Sequence, residues 1–372
     1  MRWGVKIGLV VLAALVVGFF VQKETFFYHT PVAKIVSVSN QQSVVTDDYG
    51  NQDTQVVQRL SLQMLNGNKE HLTLSNTANR SQATGQVYEN GQLVLLSGAN
   101  AGAQIVSLKR DGVIVGLVVL FVGLLGLFLG RRASLFVGLS LLLNLLYFVV
   151  VVAFTLSGVL PVLVLFAVLA VVFAASSLVF VLGLTRQALD SFVSTLVTTA
   201  LTFGLTLLVL ALTGNNGVHF EFANYVTENP EVFFFVGALI SVLGAIMDGV
   251  CDIVAGLYAM ARQGGASQAQ YFKSGLAIGR EITGTLTNVL FMIFLAETMP
   301  MALLLLKNGN DWSYIATIAM NLGLLQTLIA AIGIVLAVPV TAFWVSRRLG
   351  RLAADDLNKL QVSGLEKEGL DE

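Results

Sequence analysis

The stretch ISVLGAIMDGVCDIVAGL, Ile240 to Leu257, lies inside an apolar run from about Val232 to Met260. Such a run is long enough to cross a bilayer. It nevertheless carries two carboxylates, Asp248 and Asp252. A spacing of four places them on one helix face, and Gly244 and Gly256 extend the same stripe. Small residues let a neighbouring helix approach closely, so the stripe is expected to face protein rather than lipid. Asp248 stands about 14 residues before Arg262, roughly 21 Å at 1.5 Å per residue, which is near mid-membrane. An acid there costs about 3 kcal/mol and survives by pairing, by hydration or by taking a proton. A carboxyl pair in that setting is suited to binding and releasing protons or ions. The competing readings are structural. Either both acids bond neighbouring hydroxyls and amides and fix helix register, or the bilayer segment ends near Gly249 and leaves Asp252 at the interface.

Composition agrees with a membrane location. Hydrophobic residues make up 56% of the chain and charged residues 12%, about half the charged share of a soluble domain. Mean hydropathy is +0.80. The formal net charge of -1 gives no basic balance for nucleic acid. The single cysteine, Cys251, cannot close an internal disulfide. His29, His71 and His219 are scattered, with no metal-ligand spacing, and no metal or cofactor is expected.

Runs of about 18 apolar residues or more give about eight transmembrane candidates. They are 4–22, 112–130, 134–156, 159–184, 190–213, 232–260, 283–306 and 314–345. The first lacks a small-x-small cleavage site and reads as an uncleaved anchor rather than a secretory signal. Arg2, Lys6, Arg131, Arg132, Arg186, Arg262, Lys273, Arg280, Arg347, Arg348 and Arg351 then fall on one side, with Lys307 the exception. That bias places both termini in the cytoplasm.

Residues 23–110 form a polar insert placed outside the membrane. Strand-like runs occur at Val32–Val38, Val56–Leu65, His71–Leu74, Leu93–Leu96 and Ile105–Leu108, with turn signals at Asn66-Gly67 and Asn90-Gly91. These predict a small five-stranded β-barrel, OB-like in type. The expected class is therefore an all-α polytopic membrane protein with an extracytoplasmic β-barrel-like domain between helices 1 and 2. Its parts are an anchor (1–22), the β-rich domain (23–110), the helical bundle (111–345) and a cytoplasmic tail (346–372). The tail should hold a short helix followed by disorder.

Partners for the acids are expected on the seventh helix, in GREITGTLTN, Gly279 to Asn288. Arg280, Gly284 and Asn288 form an i, i+4, i+8 stripe. Gly284 would allow contact, Thr283, Thr287 and Asn288 offer hydrogen bonds, and Arg280 could neutralise Asp252 or simply anchor the cytoplasmic end. Ser267–Ile278 could lie along the membrane surface as an amphipathic helix. Arg186 and Asp190 are spaced for an i, i+4 pair, read as an anchor. Threonines 195, 198, 199, 202 and 206 lie within the fifth apolar run, where bonding to their own backbone needs no function. No GxxxxGK[ST], HExxH, CxxC or GxSxG occurs, so no enzymatic constellation is visible.

The segment GAIMD, Gly244 to Asp248, followed by GREITGTLTN, resembles the YibE/F family of bacterial membrane proteins. The layout of one anchor helix, a small extracytoplasmic domain and a helical bundle resembles it too. A weaker similarity is to the RND/MMPL/SecD–SecF permeases, in which Asp248 would take the place of the intramembrane acid used for proton coupling. The large extracytoplasmic domains of the drug-exporting pumps are absent from this sequence. Together these imply a proton- or ion-coupled permease in the cell membrane, or an accessory of one, with Asp248 and Asp252 as the coupling groups. A non-transporting scaffold is the alternative. The expected partners are the bilayer and a related membrane protein or a second copy.

Overall fold

The computed structural model describes residues 3–351, apart from 27, 47–49, 51, 67–70, 83–84, 99–101, 159, 223–228 and 265. The expected Asn66-Gly67 turn and nearly all of the tail therefore lie outside the described residues. The chain divides into two units, Met1–Ser134 and Leu135–Glu372.

In the first unit, helix α1 (Trp3–Lys23) leads into strands β1 (Val32–Thr46), β2 (Gln52–Met64), β3 (His71–Asn79), β4 (Leu93–Leu96) and β5 (Ile105–Leu108), and the chain leaves through α2 (Asp111–Phe128). The strands form one antiparallel sheet in the order β3-β2-β1-β4-β5. Period-two alternation sets its buried face: Val56, Leu60, Leu62 and Met64 of β2 are buried, and the last three pack with Ala33, Ile35, Leu74, Val94 and Leu96. The sheet is half a barrel. β4 and β5 are four residues each, and the chain passes from β5 almost at once into α2, so among the described residues no strand pairs with the free edge of β3. The expected five-stranded barrel-like unit is thus present as a half-barrel sheet. Buried Gln58 draws the following chain over it, donating to the Tyr88 carbonyl at 2.9 Å and accepting from the Tyr88 amide at 2.8 Å.

Helices α1 and α2 run antiparallel and meet through glycine. A Cβ on Gly18 would stand 2.7 Å from the Gly112 carbonyl, and one on Gly116 3.2 Å from the Ala14 carbonyl. The buried Lys109 ammonium fastens this pair. It donates to the carbonyls of Val21 (2.6 Å) and Gln22 (2.9 Å) at the end of α1 and pairs with Asp111 at 3.0 Å. Lys109 reaches both oxygens of Asp111, and the Tyr28 hydroxyl donates to one of them, Oδ2, at 2.6 Å.

The second unit holds most of α3 (Arg131–Leu156), then α4 (Val162–Leu182), α5 (Arg186–Thr213), α6 (Pro230–Arg262), α7 (Gln268–Lys307), α8 (Trp312–Ile315) and α9 (Asn321–Leu349), with a π-helical turn at Ala316–Met320. Helix α6 is central and packs on α4, α5, α7 and α9. Its Val242, Ile246, Val250, Ile253 and Leu257 form the core with Ile329, Ala330, Ala337 and Val345 of α9. Asn144 ties α3 to α4: it donates to Ser177 and accepts from Ser176, both at 2.8 Å.

Eight helices are long and apolar enough to cross a membrane, α8 and α9 counting as one. They suggest a multi-pass membrane protein. The expected surface helix at Ser267–Ile278 does not stand apart. A capping box between Ser267 and Gln270 starts α7 there, and the helix runs unbroken for 40 residues. It continues because its first half has its own groove: Gly275 lies against Ala342 and Gly279 against Val338 of α9.

Candidate functional site

Asp190 sits on α5, one turn beyond its first residue Arg186, with no solvent exposure. Tyr258 of α6 donates its hydroxyl to one carboxylate oxygen at 2.6 Å, and Trp344 of α9 donates its indole N–H to the other at 3.2 Å. Arg348 of α9 pairs with that second oxygen. Three helices thus converge on one buried carboxylate. A buried charge is tolerable only when paired and hydrogen-bonded, and these donors meet that condition. The sequence reading of an Arg186–Asp190 pair is corrected accordingly. Spacing of four was available on α5, but Asp190 is turned inward to groups from α6 and α9.

Above Asp190, one face of α5 is a column of hydroxyls: Ser191, Ser194, Thr195, Thr198, Thr199, Thr202 and Thr206, each 8% exposed or less. From Ser191 to Thr206 it rises roughly 22 Å. Thr202 and Thr206 donate back to the carbonyls four residues before them. The hydroxyls of Ser194, Thr195, Thr198 and Thr199, and of Thr341 on α9, are buried without a hydrogen-bond partner among the described residues. Thr202 lies where Gly333 of α9 and Ile246 of α6 come together. Sequence reasoning noted these threonines singly. Their shared helical phase was the signal that they form one column.

Asp248 and Asp252 lie on a different face of α6. Both are exposed, and neither makes a hydrogen bond or ion pair among the described residues. The two glycines expected to carry the α6–α7 contact do not: Gly244 and Gly284 have no atom within 4 Å of a built Cβ. Instead Gly256 lies against Ile278 and Gly249 against Leu286. The helices pack as anticipated, but α6 is turned so that the stripe through Gly244, Asp248 and Asp252 points away from its neighbours. On α7, Arg280, Glu281, Gly284, Thr285 and Asn288 are exposed, while the Thr287 hydroxyl is buried and unpartnered. An open groove of about 620 Å³ runs along Glu281, Gly284, Thr285 and Asn288. Arg280 and Asp252 form no ion pair.

Among the described residues, no three His, Cys, Asp or Glu side chains gather as a metal site would need. What the molecule offers is one buried, fully bonded carboxylate at the end of a hydroxyl column, and two unpaired carboxylates midway along the central helix.

A β-rich unit set between two apolar helices and followed by a bundle centred on an acid-bearing helix defines a mostly helical protein with eight long apolar helices and an inserted sheet. The chain belongs to the YibE/F family: residues 117–351 match the YibE/F-like protein family, and residues 26–110 match the YibE/F family N-terminal domain. No curated protein and no solved structure matches the chain.

Proposed function

We propose that this chain is a proton- or ion-coupled permease of the cell membrane, or an accessory subunit of one. Both termini are cytoplasmic, and residues 23–110 lie outside. The observation that carries the reading is Asp248, a carboxylate midway along a 33-residue apolar helix with no internal partner. Ionisable side chains within membrane spans are rare and costly, and they mark ion and proton pathways. Asp252, one turn away, supplies a second acceptor. The hydroxyl column of α5 supports the same reading, since unpartnered buried hydroxyls accommodate water or a moving ion.

Reconstitution into vesicles with an internal pH dye tests it. Wild-type protein should dissipate an imposed pH gradient faster than empty vesicles. Asp248→Asn, which keeps shape and hydrogen bonding but cannot exchange a proton, should not. Equal flux through both proteins would remove Asp248 from the mechanism. The orientation is tested by labelling: Ser75→Cys should react with an impermeant maleimide from outside, and Ser363→Cys should not. The reverse pattern rejects the topology.

The second reading is a non-transporting membrane scaffold that assembles with another membrane protein. The exposed small residues of α6 and α7 favour it. Wild-type vesicles as tight as empty ones would decide for it.

A further inference from the structure

Two points fix how α5 and α9 lie against each other. The Trp344 indole meets Asp190 at 3.2 Å, and a Cβ on Gly333 would stand 3.3 Å from the Thr202 hydroxyl. Between these points α5 advances through Ser194 and Thr198, while α9 returns through Ala337 and Thr341, each in steps of four. The two helices are therefore antiparallel and in step. Thr198 is level with Ala337, and Ser194 with Thr341. Ser194, Thr198, Ala337 and Thr341 are all buried. The hydroxyls of Ser194, Thr198 and Thr341 have no partner among the described residues, and neither do those of Thr195 and Thr199 beside them.

A buried hydroxyl without a partner costs its full desolvation, whereas an apolar group of the same shape would avoid that cost. A seam that stayed shut would gain nothing from five of them. The wall facing α5 is suited to parting. Gly333, Ala337 and Thr341 carry little apolar surface, so separating α9 from α5 along this line forfeits little burial. Pro339 lies between Ala337 and Thr341. It donates no N–H to the Val335 carbonyl, so α9 bends more easily there than elsewhere. One end of the seam is closed by Asp190 with Tyr258, Trp344 and Arg348. At the other, Leu210 is buried in one cluster with Phe234 and Phe235 of α6.

We propose that the α5–α9 seam opens to a file of water when α9 bends at Pro339, and that this file is the route through the protein. The inference deepens the permease reading and rests on it. Asp248 and Asp252, on another face of α6, are the coupling groups, and the seam carries what is coupled to them. Tyr258 lies on the same helix as the acids and closes the end of the seam, so α6 joins the two. Water fits the lining because each hydroxyl both donates and accepts, as a water molecule does. A divalent cation fits it poorly. Such an ion takes six or more oxygens, carboxylates among them, and the carboxylate here, Asp190, is already held by Arg348.

Silver ion tests the seam, since it reaches a thiol only through water and is small enough for a narrow path. Cys251→Ser full-length protein is reconstituted in nitrate buffer with one cysteine at a time: Ser194→Cys or Thr198→Cys in the seam, Val197→Cys or Leu201→Cys on the exposed apolar face of α5. After a pulse of silver, the remaining thiols are counted in denaturant. The seam thiols should be lost and the thiols at 197 and 201 kept. Thr341→Cys reads the same seam from α9 should either α5 variant fail to fold. Adding Pro339→Ala to Ser194→Cys should slow the loss, and an unchanged rate would overturn the bend. In vesicles carrying the internal pH dye, silver should stop gradient dissipation by Ser194→Cys but not by Val197→Cys. Seam thiols that survive as well as those at 197 and 201, or dissipation that continues after the thiol at 194 is consumed, would overturn the route and leave the permease reading standing. Wild-type vesicles as tight as empty ones would overturn the permease reading and the route with it.

Discussion

The Tyr258 hydroxyl lies 2.6 Å from a carboxylate oxygen of Asp190, joining α6 to α5 at a point where Trp344 and Arg348 bring in α9. No two of these three helices are brought to that point by neighbouring sequence. Each donor satisfies a polar atom that would otherwise be buried alone, so the cluster sets how three helices end together.

Removing the phenol oxygen should therefore be felt throughout the bundle. Tyr258→Phe leaves the ring in place but deprives the buried carboxylate of a donor, at a cost of about 1–3 kcal/mol. Thermal denaturation in detergent should show a lower midpoint. An unchanged midpoint would mean that Trp344 and Arg348 suffice.

Glycines on α7 should divide sharply by position. A Cβ at Gly275 would stand 2.8 Å from the Ala342 Cβ, and α9 has no slack there. Gly275→Leu should cost about 1–3 kcal/mol or more through overpacking. Gly284→Leu points into open space and should leave the midpoint of the single chain unchanged. Equal destabilisation by both substitutions would show that the α6–α7 packing is misplaced.

The Tyr28 phenol is pushed up to about 12, first by burial and then by its bond to the Asp111 carboxylate. In the unfolded chain it loses its proton near about 10. The contact therefore stabilises fully below about pH 10 and is lost as pH rises through about 12. In a difference spectrum against Tyr28→Phe, the phenolate band should be missing at about pH 10 and appear about two units higher. A band already half developed at about pH 10 would mean that the phenol is neither shielded from water nor bonded to Asp111.

Run length made the eight apolar helices legible, because an unbroken apolar stretch of that length suits a bilayer core and little else. β4 and β5 were legible to the residue, since Leu93–Leu96 and Ile105–Leu108 are short and bounded by turns. The far half of β1, Ser39–Thr46, was missed: it is exposed almost throughout and so shows no alternation to read. The continuation of α7 through Lys273 and Arg280 was missed for a related reason. Those charges suggested a surface segment, while the packing of Gly275 and Gly279 on α9 depends on residues about 60 positions away that no local pattern announces. The acids were legible as unusual, but not their direction. Gly244, Gly249 and Gly256 are equally small, and the register of α6 against α7 decides which of them meet a neighbour. Asp190 was seen through its nearest cation, Arg186, because spacing along one helix is visible in sequence and convergence of three helices is not.

Lys109 has a consequence for how this architecture could change over time. It binds the last carbonyls of α1 with the same ammonium that holds the first carboxylate of α2. The chain therefore departs into the sheet and returns from it within the reach of one side chain. A segment whose ends adjoin can be enlarged, shortened or replaced without re-aiming what it hangs from. The latch belongs to the helical hairpin, and the sheet between Lys23 and Lys109 hangs from it as its cargo.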